Sequence, residues 1–192
     1  MKKIAVRKRI LAGLLAVALV VPANANVAGA KTQTVLETDV TEASEGCTLV
    51  GVYGSYFAQA KEALAKINAI RKEACEAGNV RDPSDPGRYL TASDYVPLKW
   101  SSDLENIARI RAAEAGIAFR FMDSGHNRLN EKNTFSITSN GISSSFEDLA
   151  YYHVQDMIEG ILLWYSEKQY WVKQDFSEET GHYTSMINPK FK

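Results

Sequence analysis

Gly181-His182-Tyr183-Thr184-Ser185-Met186, close to the C-terminus, is the stretch whose reading decides the fold. Taken as a strand, it sets His182, Thr184 and Met186 on one face and Tyr183, Ser185 and Ile187 on the other. Gly181 lets the backbone turn tightly into that strand. The imidazole then stands at a strand start, where side chains often line a cleft. Two upstream stretches support a shared site. Trp164-x-x-Glu167-x-x-Tyr170 lies shortly before it, and Leu98-Lys99-Trp100-Ser101 leads into a helix read from Leu104 to about Ala115.

The 192-residue length fits one domain, and 45% hydrophobic with 23% charged residues is ordinary for a soluble globular chain. The N-terminus reads differently. Lys2, Lys3, Arg7, Lys8 and Arg9 form a basic n-region, Ile10 to Val21 an apolar h-region, and Ala23-Asn24-Ala25 a small-residue cleavage site. Residues 1–25 are therefore expected to be a signal peptide, with cleavage possible to residue 30. An uncleaved anchor is the alternative, disfavoured because a span needs roughly 20 apolar residues. Losing those five cations leaves 17 Lys and Arg against 23 Asp and Glu, a net charge of −6. Such a chain lacks the clustered cations that nucleic acid or an anionic membrane requires. Nucleic acid is excluded as a partner, and no membrane span is expected after cleavage. Cys47 and Cys75 leave two readings, a disulfide permitted by an oxidising compartment or two buried thiols.

Residues 26–50 read as a flexible leader and residues 51–192 as the folded domain. A first helix is expected from about Ser55 to Ala77, with a stripe of Ala60, Leu64, Ile67, Ile70 and Ala74, and Gly78 as its stop. Asn79 to Ser93 reads as a loop. Ser102 and Glu105 have capping-box spacing for the second helix, whose buried face is Leu104, Ile107, Ala108 and Ala115. Asp123 to Ser145 reads as irregular, with a short strand near Phe135 to Ile137. A third helix covers about Val154 to Lys168, and its Gly160 implies close packing. The last strand is His182 to Ile187. Tyr151, Tyr152, Trp164, Tyr165, Tyr170 and Trp171 are too many aromatics for one helix to bury, so an exposed aromatic patch is expected. His153 reads as a surface or helix-start residue.

Taken in order, these motifs resemble the CAP superfamily of cysteine-rich secretory, antigen 5 and pathogenesis-related-1 proteins. The resemblance runs from about Tyr56 to the end. It implies an α+β fold, a three-layer α-β-α sandwich with a small antiparallel sheet. That sheet would be truncated after the Gly-His-Tyr-Thr strand, which implies a marginally stable or self-associating chain. It also implies two His and two Glu converging in a cleft. His182 matches the Gly-His-Tyr-Thr histidine, and Glu167 the Trp-x-x-Glu glutamate. Glu147, in Phe146-Glu147-Asp148-Leu149-Ala150, resembles a Gly-Glu-Asn-Leu-Ala segment, with Phe146 and Asp148 as departures. His126, in Gly125-His126-Asn127-Arg128-Leu129-Asn130, resembles the His-Thr-Arg-Pro-Asn-Gly loop of bacterial members, with Leu129 and Glu131 as departures.

His126 and His182 are then candidate ligands for a weakly held Zn²⁺, with the carboxylates orienting them. The resemblance places the chain as a secreted bacterial binding module, at or beyond the cell surface, for an extracellular protein, lipid or glycan. The alternative is a secreted hydrolase of protein or cell-wall material, with Glu147 or Glu167 as general base, His126 or His182 as acid and water as nucleophile. The absence of a nucleophile motif weighs toward the non-enzyme. A purely structural His-Glu network is the third reading.

Overall fold

The computed structural model describes residues 42, 43, 45, 46, 48, 56–121, 125–128, 132–151 and 154–192. The signal peptide, nearly all of the leader, Cys47, Tyr152 and His153 lie outside the described residues. The chain divides into two units, Met1–Tyr53 and Gly54–Lys192, and every element below belongs to the second.

The fold is α+β, as expected: helices with two small antiparallel strand pairs. Helix α1, Ala60–Glu76, buries Ala63, Ile70, Ala74 and Cys75. These recur at helical spacing and meet Val80, Leu90, Ile161, Trp171, Tyr183, Met186 and Ile187 in one core. Gly78 follows the helix at φ 72°, where a side chain would be strained. Cys75 is a buried free thiol whose pKa is pushed up by burial, with the Asp94 charge adding to it. An unreactive thiol is the consequence.

The segment read as a loop is a hairpin. Strand β1, Arg81–Asp82, pairs with β2, Asp85–Tyr89, and a 3-10 turn follows at Ala92–Asp94. The fully buried Asp82 carboxylate accepts the Ser84 amide at 2.7 Å and hydroxyl at 2.8 Å, and also pairs with Arg88. An aspartate that bonds its own turn replaces hydrophobic alternation as the organiser. Helix α2 spans Ser102–Phe121. Ser101 rather than Ser102 meets its first turn, the hydroxyl accepting from Leu104 N at 3.3 Å. Ile107, Arg111 and Ala115 form its buried face, whereas Leu104 and Ala108 are exposed. The short strand moves three residues on, to β3, Thr138–Ser139, paired with β4, Ile142–Ser143. Asn140 and Gly141 link them at φ 48° and 79°, as a tight hairpin turn requires.

Helix α3, Met157–Tyr165, starts at Asp156, whose carboxylate accepts the Glu159 amide at 2.8 Å. Gln59 ties the starts of α1 and α3 together, donating to Asp156 at 3.2 Å and accepting from Met157 N at 3.0 Å. Helix α4 covers Lys168–Lys173. Buried Gly160 has close neighbours, as expected, but a methyl there would meet Val154 Cγ1 at 3.5 Å and Ala150 Cβ at 3.7 Å, both ordinary contacts. Gly160→Ala is therefore expected to raise stability by up to about 1 kcal/mol, seen as a higher urea midpoint with unchanged slope. A lower midpoint would mean that the site has no room for the methyl.

The principal correction concerns Gly181–Ile187. It is a helix, α5, not a strand. Tyr183, Met186 and Ile187 are buried at i, i+3 and i+4, so helical spacing matches the core. The β preference of Tyr and Thr is overridden by two tertiary anchors. Glu167 accepts the Tyr183 amide of the first turn at 3.0 Å. At the other end, the buried Arg71 guanidinium donates to Met186 O at 2.7 Å, Asn188 O at 3.0 Å and Phe191 O at 2.9 Å. One orphan amide of the first turn and one carbonyl of the last are thereby met, with two carbonyls just beyond the helix.

The exposed aromatic patch is also corrected. Trp171 is buried, and Tyr151, Trp164, Tyr165 and Tyr170 are half-buried. Trp171 Nε1 donates to Arg81 O at 3.0 Å, and Tyr165 Oη donates to the Glu73 carboxylate at 2.8 Å. Exposed large apolar side chains elsewhere include Leu162, Leu163, Phe146 and Phe176.

Candidate functional site

Two His-Glu pairs are set by different parts of the fold. The first hangs on Arg111, a cation on the buried face of α2. Its Nε and one terminal nitrogen each donate to Glu147 at 2.8 Å, a bidentate grip that fixes the carboxylate. The same terminal nitrogen donates to Gly125 O at 2.9 Å, holding the His126 turn. His126 Nδ1 lies 3.0 Å from Glu147 Oε1. Behind them, Glu114 bridges Arg111 at 2.6 Å and fully buried Arg128 at 2.6 Å. The result is a continuous line of alternating charge from Arg128 to Glu147, with the His126 ring at its end.

The second pair sits between α3 and α5. His182 Nδ1 lies 2.6 Å from Glu167 Oε1, while the other Glu167 oxygen accepts the Tyr183 amide. The Trp164 indole stacks on the His182 ring at 6.0 Å between centroids and 12° between planes. Trp164 Nε1 donates to Leu149 O at 3.2 Å, which locks the indole to the Glu147 segment. The helix also reverses the position expected for Ser185. At i+3 from His182 it shares that residue's face, and its hydroxyl donates to Asp148.

Asp148 links the two pairs. Burial pushes its carboxyl above the usual range and the Glu167 charge adds to that, while the Ser185 hydroxyl and the His182 and His126 charges oppose it. Sequence reasoning named His126, Glu147, Glu167 and His182 but treated Asp148 only as a departure, and it missed Arg111 and Glu179. Exposed Glu179 joins Glu167 and His182 in a group whose donor atoms all lie within 4.8 Å of one another. Its signal was the Glu178-Glu179 pair just before Gly181. His126 belongs to the other pair rather than to this group.

With the α+β fold and the two His-Glu pairs in view, comparison with protein families gives the class. Residues 64–192 match the family model of CAP, the cysteine-rich secretory protein family. That is well over half of the chain, and the chain belongs to this family. No curated protein and no solved structure matches it. Proteins of this family are generally extracellular modules. Among the described residues, no helix is long and apolar enough to cross a membrane.

Proposed function

We propose that the chain is an exported binding module whose His-Glu cleft holds a divalent cation weakly, as Zn²⁺, at Glu167, Glu179 and His182. The observation that carries this reading is the close approach of their three donor atoms. One imidazole nitrogen and two carboxylates make a fitting but oxygen-rich donor set, open on its remaining sides. Glu167 Oε1 lies 2.6 Å from His182 Nδ1, so these two donors already face each other. The basic and apolar N-terminal segment supports export, and its pattern supports a bacterial source. An extracellular protein, lipid or glycan is the partner class.

The state of the carboxylates favours binding over hydrolysis. Each Glu147 oxygen accepts from Arg111, and each Glu167 oxygen is engaged by His182 or by Tyr183 N. A water proton would have to compete with these existing donors, which weighs against either glutamate as general base. Purified chain and Glu167→Ala are therefore both expected to show no turnover on peptide or peptidoglycan substrates. Turnover that disappears in folded Glu167→Ala would instead establish the hydrolase.

Calorimetric titration tests the metal. The chain is expected to bind one Zn²⁺, Glu179→Gln to bind it roughly tenfold or more weakly, and His182→Ala to lose it. Unchanged affinity in folded His182→Ala would contradict the proposed site.

A further inference from the structure

A cleft of about 190 Å³ opens beside the His-Glu pairs. Its walls include Phe146, Trp164, Met186 and Phe191, and its polar lining is Glu147, Asp148 and Ser185. No cationic side chain lines it. Glu147 is neutralised by Arg111, which grips both of its oxygens. Asp148 is different. One oxygen accepts the Ser185 hydroxyl, and among the described residues its carboxylate makes no other hydrogen bond or ion pair. Its second oxygen has no such partner, and Asp148 lines the cleft.

A partly buried carboxylate whose one direct partner is a hydroxyl is poorly compensated, and here it shares a cleft with aromatic rings. Phe146 and Phe191 pack at 5.3 Å between centroids and 52° between planes, with Trp164 on the same cleft. Ring faces attract cations, so walls and carboxylate favour the same sign of charge. The lining also selects among cations. Apolar walls offer a hard metal ion too few oxygen ligands. An oxygen awaiting a donor suits a protonated amine, whereas a quaternary ammonium has no N–H to give it. The volume is below the roughly 300 Å³ where drug-sized pockets begin, so only a short stem fits.

We propose that this cleft is a binding site for a primary ammonium group carried on a short apolar or aromatic stem, with Asp148 as its counter-ion. The stem lies against Phe146, Phe191 and Met186, and the ammonium donates to the open Asp148 oxygen. Phe146 and Asp148 are both departures from the Gly-Glu-Asn-Leu-Ala pattern, so the selectivity belongs to this chain. The site goes beyond the metal reading and does not depend on it.

The test is a titration of the full chain with phenethylamine and with 2-phenylethanol, its neutral analogue, in chelator throughout. Chelator removes the divalent cation, so this outcome is separate from that of the Zn²⁺ titration. The amine is expected to bind at least tenfold more tightly than the alcohol. Asp148→Asn keeps an acceptor for Ser185 and is expected to remove that preference with near-UV circular dichroism unchanged. A third arm uses N-acetyl-lysine methylamide. Binding comparable to phenethylamine identifies a lysine side chain as the natural source, and weaker binding identifies a free amine. Equal affinity for amine and alcohol would overturn the proposal, and so would an unchanged preference in folded Asp148→Asn. Should Asp148→Asn fail to fold, the amine–alcohol comparison on the unaltered chain still decides.

Discussion

Arg71→Met is expected to destabilise the domain by about 3–4 kcal/mol, out of a total of roughly 5–15 kcal/mol for a domain of this kind. The buried guanidinium serves four carbonyls on two separate segments. Its Nε donates to Val96 O at 2.9 Å, and its terminal nitrogens to Met186 O, Asn188 O and Phe191 O. No carboxylate pairs with it in these bonds, so its contribution is neutralisation of helix-end and loop acceptors rather than an ion pair. Burial lowers its pKa. Removing it strands those carbonyls and releases the Phe191 wall of the cleft. A melting temperature lower by roughly 10 °C is expected. Arg71→Lys can reach fewer acceptors and is expected to recover less than half of the loss. A melting temperature within a degree or two of the parent would show that water replaces these bonds at little cost.

Arg111→Met carries the next largest effect, about 3 kcal/mol, because it leaves both Glu147 and Glu114 without their shared cation in a buried setting. Coupling is the diagnostic. Glu147→Gln alone should cost less, and the double substitution should cost clearly less than the two single losses summed, since the unpaired charge is gone. Chemical denaturation of the four proteins measures this directly. Additive losses would mean that Arg111 and Glu147 do not act as a pair.

Much of the candidate site was legible in the sequence as residues, and less of it as geometry. The Gly-His-Tyr-Thr and Trp-x-x-Glu stretches identify His182 and Glu167, which the fold brings to 2.6 Å. The backbone that carries His182 was misread because seven residues rich in Tyr, Thr and Ile fit strand alternation as well as one helical face. The deciding contacts, Glu167 at one end and Arg71 at the other, come from residues 14 or more positions away. Arg71 and Arg111 were invisible for a related reason. An arginine in an amphipathic helix is ordinarily assigned to solvent, and only the tertiary arrangement of carbonyls and carboxylates makes burial tolerable. The Asp82 hairpin was missed because a turn built on an aspartate and two prolines has no period to detect. Gly78 was read correctly because its positive φ is a local backbone requirement that needs no knowledge of the rest of the fold.

The proposed cation site is organised around His182, Glu167 and Glu179, with His126 paired instead to Glu147, which Arg111 holds. Nitrogen-15 NMR of the two imidazoles during a Zn²⁺ titration tests it most directly. The account predicts that the His182 ring resonances shift and saturate at one equivalent, while those of His126 change little until the site is full. Joint movement of both rings in the first equivalent, or movement of His126 alone, would contradict it.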